Sequence, residues 1–167
     1  MHWANAIAQR VGTYGNGAWL DALGQWLEVS GAPWLPESST DGQVSVAAPK
    51  RAVQLMFHAL PTYDTAPTRS RAHHVVLAEA LFDAEEIARR AQWAALPFEL
   101  DALNETPESA TAKLASTDIS RGRGRDAVRM SWFLDDQRVV ELHFLDGHKG
   151  LRRVHIARLW KPVQFGT

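Results

Sequence analysis

The chain has 167 residues, of which 46% are apolar and 22% are charged, and its formal net charge is −1. These values fit one full domain or two small half-domains, and they exclude a disordered chain, a collagen-like or coiled-coil rod and a large multidomain enzyme. The chain contains no Cys, which excludes a thiol nucleophile, a Cys-ligated zinc ion and disulfide bonds.

The first ten residues do not combine a basic start with the apolar run that a secretory signal needs. No stretch approaches about 20 consecutive apolar residues, the length that crosses a bilayer. We therefore expect a cytoplasmic protein that makes no contact with a membrane.

Charge is distributed unevenly along the chain. Residues 1–120 contain 8 Lys or Arg and 14 Asp or Glu, a balance of −6, whereas residues 121–167 contain 10 and 5, a balance of +5. Such blocks are usually solvated surface. The alternative is an acidic face that meets a basic partner, because a field of one sign steers partners of the other.

The first half of the chain predicts two helices followed by three strands. A short amphipathic helix from Trp3 to Val11 ends at the Gly- and Asn-rich turn 12–17, and a second helix is expected from Ala18 to Val29. Residues 30–43 have the composition of a loop. The strands are predicted at 44–47, 52–57 and 74–82.

The second half begins with two helices. Asp83 and Glu86 predict a helix start, because both side chains accept hydrogen bonds from free amides, and this helix should run to about Ala94. The Thr-Pro pair at 106–107 predicts the start of another helix that reaches about Leu114. Alternating apolar and polar residues then indicate antiparallel strands with one covered side. These strands are predicted at 127–134, 138–145 and 151–160.

A shift of 87 residues aligns residues 51–57 with residues 138–144 and places the helix end Leu27 on Leu114. Helix, loop, hairpin and final strand therefore occur twice in the same order, although chance similarity is the alternative to a true repeat. We predict an α+β fold in which two tandem units form one compact domain, with the helices on one face of an antiparallel sheet. The two units are residues 1–95 and 96–167.

The chain lacks the motifs on which common enzyme classes depend. There is no Gly-x-Ser-x-Gly nucleophile elbow, and the Gly-rich stretch 12–17 lacks both the Lys and the preceding strand of a phosphate-binding loop. His143, Asp146 and His148 lie close together in sequence, but two His and one Asp around a turn form an incomplete zinc ligand set. We therefore predict no catalytic residue, metal, cofactor or small-molecule substrate.

Residues 121–125 read Arg-Gly-Arg-Gly-Arg and predict a flexible loop between a helix and a strand. Arg side chains suit phosphate and carboxylate groups, so contact with an anion or a protein partner is the alternative. Because no aromatic residues alternate with these Arg residues and the chain is not basic overall, we predict no nucleic-acid partner.

Two features are candidates for partner binding. Trp34 lies beside Pro33 in a Pro-flanked loop, where an exposed indole would serve as an interface anchor, and burial in the core is the alternative. The second candidate is an acidic surface that would occupy a basic cleft of the partner. Its residues are Asp83, Glu85, Glu86, Glu99, Asp101, Glu105 and Glu108.

One region of the chain resembles a known family. Four segments carry the pattern, namely Leu96-Pro97-Phe98-Glu99-Leu100, Glu105-Thr106-Pro107-Glu108, Leu114, and a hairpin that ends at residues 138–142. The pattern is similar to that of bacterial immunity proteins encoded beside polymorphic toxins. Members of this family commonly carry Gly at the positions of Glu99 and Ala115. The helix-then-sheet arrangement also resembles the fold of β-lactamase-inhibitory protein.

The resemblance implies a protein that binds a cognate bacterial toxin and neutralises it by blocking or inactivating it. The toxin would be delivered by a type VI or related contact-dependent secretion system. Two alternatives stay open, namely an adaptor or chaperone that binds a secreted effector before export, and an enzyme of unrecognised type. A toxin gene beside this one would favour the immunity function.

Overall fold

In the computed structural model of the chain, the described residues form seven antiparallel strands of one continuous sheet and four α-helices. The predicted α+β class is therefore confirmed. The structure describes residues 2–15, 17–31, 33–34, 42–59, 75–90, 96–115, 122–126, 129–135 and 137–159.

The four helices begin close to the predicted positions. They are α1 (Trp3–Arg10), α2 (Gly17–Leu27), α3 (Ala84–Arg89) and α4 (Pro107–Ala115). Asp83 caps α3 as predicted, because its carboxylate accepts a hydrogen bond of 2.9 Å from the Glu86 amide. The expected continuation of α3 to Ala94 falls on residues 91–95, which lie outside the described residues. Within the described part, no helix has the length and apolar character needed to span a bilayer.

The strands also lie close to the predicted positions, with one addition. They are β1 (Gln43–Ala48), β2 (Val53–Ala59), β3 (Val75–Asp83), β4 (Gly122–Asp126), β5 (Arg129–Phe133), β6 (Arg138–Phe144) and β7 (Leu151–Arg158). The segment 74–82, whose composition suits a strand or a helix, contributes β3.

The addition is β4, which lies in the basic stretch predicted to be a loop. Residues 122–126 pair antiparallel with β5, so this prediction is wrong. Gly and Arg in alternation give neither an apolar face nor the side chains that favour strands. The strand forms because the edge of β5 offers unpaired backbone groups, which is information that a local sequence pattern does not contain.

The strand order is β1-β2-β3-β7-β6-β5-β4, so the sheet is continuous across the middle of the chain. β3 and β7 are central neighbours, and their pairing runs from Glu79 opposite Ala157 to Asp83 opposite Arg153. The remaining part of β3 is protected by the segment after α1. There the Gly12 amide donates a hydrogen bond of 2.7 Å to the Leu77 carbonyl, which satisfies an otherwise free edge.

Side chains on one face of the sheet belong to the main cluster of the hydrophobic core. In β2 and β6, alternate side chains are buried because successive residues of a strand point to opposite faces. The helices add their apolar sides to the same core cluster. Examples of its members are Ile7, Leu23, Ile87 and Leu114 from the helices, and Leu55, Phe57, Val140, Leu142, Val154 and Ile156 from the strands.

Candidate functional site

The face of the sheet that points away from the core carries a cluster of polar side chains, and we call it the open face. It contains a groove with a volume of about 260 Å³ that runs across β2, β3, β7, β6 and β5. The groove is lined by Gln54, Met56, Glu79, Leu81, Arg129, Glu141, His143, Arg153 and His155.

Strand periodicity places these side chains on the open face. Glu141 lies between Val140 and Leu142, both of which are fully buried on the core side. In β7, His155 lies in the same way between two buried residues, Val154 and Ile156. A residue flanked by two core residues must point to the other face, so the burial of the core fixes the direction of the polar side chains.

Glu141 is the centre of a polar network that joins β5 and β6. Its Oε2 accepts a hydrogen bond of 2.6 Å from Arg129 Nη2, and its Oε1 lies 2.9 Å from His143 Nε2. Ser131 Oγ lies 3.4 Å from Oε2. Burial of Glu141 acts to raise its pKa, but the hydrogen bonds and charges of Arg129 and His143 outweigh this effect and hold the pKa below its usual value.

A second carboxylate–imidazole pair joins the two central strands. Glu79 Oε2 on β3 lies 2.9 Å from His155 Nε2 on β7. About a third of each side chain is exposed. The pair therefore links strands from the two halves of the chain, and its polar atoms remain accessible from the groove.

The open face can supply hydrogen bonds and charge to a bound molecule. Two carboxylates, two imidazoles and two guanidinium groups line the groove together with Met56 and Leu81. Charged and apolar side chains also occur together in protein–protein interfaces. Within the described ranges, no group of three or more His, Asp or Glu residues is arranged to hold a metal ion.

Trp34 is buried, with 4% of its surface exposed, so the prediction of an exposed anchor is wrong. Its indole packs against α2 at Gly24, where an added Cβ would lie 2.7 Å from the Cη2 atom of the Trp34 ring. Its ring centroid is 6.1 Å from that of Phe57 in β2. The loop therefore turns its indole into the core, and Gly24 provides the space.

Glu105 is 1% exposed, so its assignment to an acidic surface is also wrong. Lys113 Nζ donates to Glu105 Oε2 at 2.7 Å, and the Asp101 amide donates to the same oxygen at 2.6 Å. Ser109 Oγ donates to the other carboxylate oxygen at 2.5 Å. This carboxylate joins α4 to the turn before it and is not accessible to a partner.

Three of the predicted acidic residues lie at the start of α3 and have structural partners. Asp83 caps the helix through the Glu86 amide. Glu85 Oε1 lies 3.8 Å from Arg152 Nε, and Glu86 Oε2 lies 3.0 Å from Arg89 Nη1. The structure therefore brings Asp83, Glu85 and Glu86 together, but their carboxylates already take part in a helix cap and in ion pairs within the fold.

The remaining acidic candidates lie near α4. Asp101 accepts hydrogen bonds from the amides of Leu103 (2.8 Å) and Asn104 (3.1 Å), and these bonds lower its pKa despite some burial. Glu99 and Glu108 are exposed and make no ion pair with another described residue. Of the seven acidic candidates, Glu99 and Glu108 thus best fit the prediction of a free acidic surface.

A second cavity, of about 490 Å³, lies between α1, α4 and β6. Beside it, the consecutive residues Phe98 and Glu99 adopt left-handed backbone angles, with φ of 61° and 57°. Asn5 Oδ1 accepts a hydrogen bond of 2.8 Å from the Phe98 amide, and Lys113 Nζ donates one of 2.8 Å to the Glu99 carbonyl. These bonds hold the strained turn in place.

The sequence indicates part of the open face but not the site as a whole. Alternation in β5 and β6 predicts that Arg129, Ser131, Glu141 and His143 share a polar side. It does not reveal that β7 lies beside β6 and brings His155 next to Glu141, because that pairing joins segments through tertiary structure.

No protein-family model, curated protein or solved structure matches the chain.

Proposed function

We propose that this chain is an immunity protein that acts in the bacterial cytoplasm and neutralises a cognate toxin by binding it through the open face. The observation that carries the proposal is the groove of polar, partly exposed side chains on a sheet whose other face is occupied by the core. An antiparallel sheet needs one covered face only, so the exposed side chains of the second face can serve recognition.

The physical properties of this face suit tight binding. Its side chains stand on the five adjacent strands β2, β3, β7, β6 and β5, so their positions are set before a partner arrives. A preorganised surface loses less conformational freedom on association, which leaves more of the contact energy for affinity. Arg is also among the residue types that most often dominate interface energies, and Arg129 and Arg153 both line the groove.

We further propose that the fold consists of two tandem units with their helices on one sheet face. The strand order supports this arrangement, because β2 and β1 follow outward from β3 in the same way as β6 and β5 follow outward from β7. Membership of residues from all four helices in one core cluster supports a common helix face. The units are residues 1–95 and 96–167.

The resemblance to immunity proteins gains support from the turn at Glu99. Members of that family commonly carry Gly at this position, and the left-handed φ of 57° at Glu99 is a conformation that Gly adopts without strain. A residue with a side chain at such a site costs about 1–2 kcal/mol of backbone energy. The chain therefore keeps the backbone geometry typical of Gly although it carries Glu.

The proposal is tested with the protein encoded by the neighbouring gene. Production of that protein alone should arrest bacterial growth, and co-production of this chain should restore growth. The two proteins should elute as a one-to-one complex in gel filtration, since specific inhibitor complexes bury ~1,600 Å² and often reach nanomolar affinity. Absence of binding at micromolar concentration would overturn the proposal. Binding to a harmless secreted effector would instead support the adaptor function.

A further inference from the structure

Three side chains with cationic or titratable groups form a line across the open face, and we call them the basic row. They are Arg129 on β5, His143 on β6 and Arg153 on β7. The strand register places Arg129 directly opposite His143, and His143 directly opposite Arg153. Because neighbouring strands are about 4.8 Å apart, the backbones of Arg129 and Arg153 are separated by roughly 10 Å. All three side chains line the same groove.

Two members of the basic row share one carboxylate. Arg129 Nη2 and His143 Nε2 both contact Glu141, at 2.6 Å and 2.9 Å. Glu79, the other carboxylate of the groove, lies 2.9 Å from His155, one row away. The negative charges of the groove are therefore each engaged with a neighbour, and neither is paired with Arg153.

Arg153 is exposed and makes no ion pair or side-chain hydrogen bond with another described residue. Its neighbour on β3 is Asp83, which would be the natural cross-strand partner. The Asp83 carboxylate instead accepts the hydrogen bond from the Glu86 amide at the start of α3. Because Arg153 is exposed and no carboxylate of the described residues engages it, its guanidinium group is available to an anion from another molecule.

We propose that the basic row binds an acidic segment of the partner protein, with a Glu or Asp side chain seated between Arg153 and Arg129. This inference rests on the proposed function, because it names the chemistry of the segment that the open face would contact. A guanidinium group can hold a carboxylate through two parallel hydrogen bonds, which fixes orientation as well as charge. The neighbouring apolar side chains of Met56 and Leu81 provide surface for the rest of the segment.

The net positive charge of residues 121–167 agrees with an acidic segment on the partner. That part of the chain contributes β4 to β7, and thus every member of the basic row. The acidic candidates near α3 and α4, by contrast, are mostly engaged in caps and ion pairs. The structure thus favours an acidic segment on the partner over a basic one at this face.

The first test needs no partner protein. A fluorescein-labelled peptide of ten Glu residues is titrated with the full chain at low salt and followed by fluorescence anisotropy, beside peptides of ten Lys and of Gly and Ser. The Glu peptide should bind best, and Arg153→Gln should weaken it about three- to fivefold, as expected for loss of one accessible charge pair. Arg152→Gln is the matched control, because Arg152 is an exposed Arg on the same strand outside the groove. It should change affinity less than twofold.

The second test measures the affinity of the neighbouring gene product for the wild-type chain, Arg153→Gln and Arg153→Glu. The affinity should fall in that order, with a loss of about tenfold or more for the charge reversal, since like charges repel across an interface. Circular dichroism checks that the variants remain folded. If the gene product binds all three equally, the acidic-segment inference is wrong while the proposed function stands. If it binds none of the three, the proposed function is wrong. The peptide titration then tests by itself whether the basic row binds acidic segments. Preference for the Lys peptide, or equal effects of Arg152→Gln and Arg153→Gln, would overturn the inference.

Discussion

A carboxylate buried inside the fold and a carboxylate on the open face of the sheet differ in how their partners are placed. In the turn before α4, Glu105 is 1% exposed, and its carboxylate accepts hydrogen bonds from Lys113, Ser109 and the Asp101 amide. On the open face, Glu141 is also hydrogen-bonded, but its partners Arg129 and His143 are themselves partly exposed. A buried charge must find all its partners within the fold, whereas a charge on the open face can exchange them for those of another protein.

This difference separates residues that should affect stability from residues that should affect binding. The core is an apolar cluster to which residues of all four helices contribute, so substitutions in it should lower stability. The open face contributes fewer fully buried side chains, so substitutions there should change binding with little effect on folding. Substitutions in the core and on the open face therefore test whether stability and binding depend on different residues.

The largest effect is expected for Trp34→Ala on the core side. Loss of a buried indole that packs on Gly24 and Phe57 should lower the free energy of unfolding by about 3–5 kcal/mol. Urea denaturation followed by Trp fluorescence or circular dichroism measures this change. Leu103→Ala is the control, because Leu103 is 63% exposed, and it should cost less than about 0.5 kcal/mol. Similar losses for the two variants would show that Trp34 is not part of the core.

The burial of Trp34 also illustrates which features of the fold the sequence predicts and which it does not. Capping by Asp83 and the alternation of β6 are local signals, and the structure confirms the elements that they predict. The burial of Trp34 depends on the space left by Gly24 and on β2, which lies distant in sequence. The strand at 122–126 likewise forms by pairing with β5 rather than by its own pattern. Both the burial of Trp34 and the formation of β4 depend on contacts between segments distant in sequence. The periodicity of apolar residues within one segment does not reveal such contacts.

The same limit applies to charged residues. Acidic residues are usually exposed, so the sequence predicts a surface position for Glu105. Its burial is possible because Lys113, Ser109 and the Asp101 amide satisfy the carboxylate. Ser109 and Lys113 lie four and eight residues further on, the spacing that places side chains on one side of a helix. That spacing is a signal that could have revealed the network. The assembly of the open face had no comparable signal, because it depends on the pairing of β7 with β3 and β6.

A smaller loss is expected for Glu105→Gln. The neutral amide leaves Lys113 without its counter-charge and alters three hydrogen bonds of a buried group, so unfolding free energy should fall by about 2–3 kcal/mol. The figure lies below that for a fully buried pair because a third of the Lys113 side chain is exposed. Glu108→Gln, an exposed position at the start of the same helix, should cost less than about 0.5 kcal/mol. Equal stability of these two variants would argue against the buried network.

A still smaller and pH-dependent loss is expected for Glu141→Gln on the open face. The pKa of Glu141 is lower in the folded chain than in the unfolded chain, so its charge stabilises the fold at pH values above the unfolded pKa. This contribution disappears as the pH falls through the folded pKa. The free energy of unfolding of the wild type should therefore exceed that of the variant by about 1 kcal/mol near neutral pH, and the difference should shrink as the pH falls below about 4, the pKa of an unfolded Glu. Urea titrations of both proteins at neutral pH and at a series of lower pH values give the result. A difference that grows as the pH falls would contradict the account.

The most direct measurement compares one substitution in the groove of the open face with one on the exposed surface of α2. Gln54 is exposed in the groove of the open face, and Gln25 is exposed on α2. We expect Gln54→Trp to weaken binding of the neighbouring gene product at least about tenfold, since a bulky side chain fills the groove, while both variants keep wild-type stability within about 0.5 kcal/mol. Gln25→Trp should bind as the wild type does. Isothermal titration calorimetry gives both affinities, and the reverse pattern, with binding lost in Gln25→Trp and kept in Gln54→Trp, would contradict recognition through the open face.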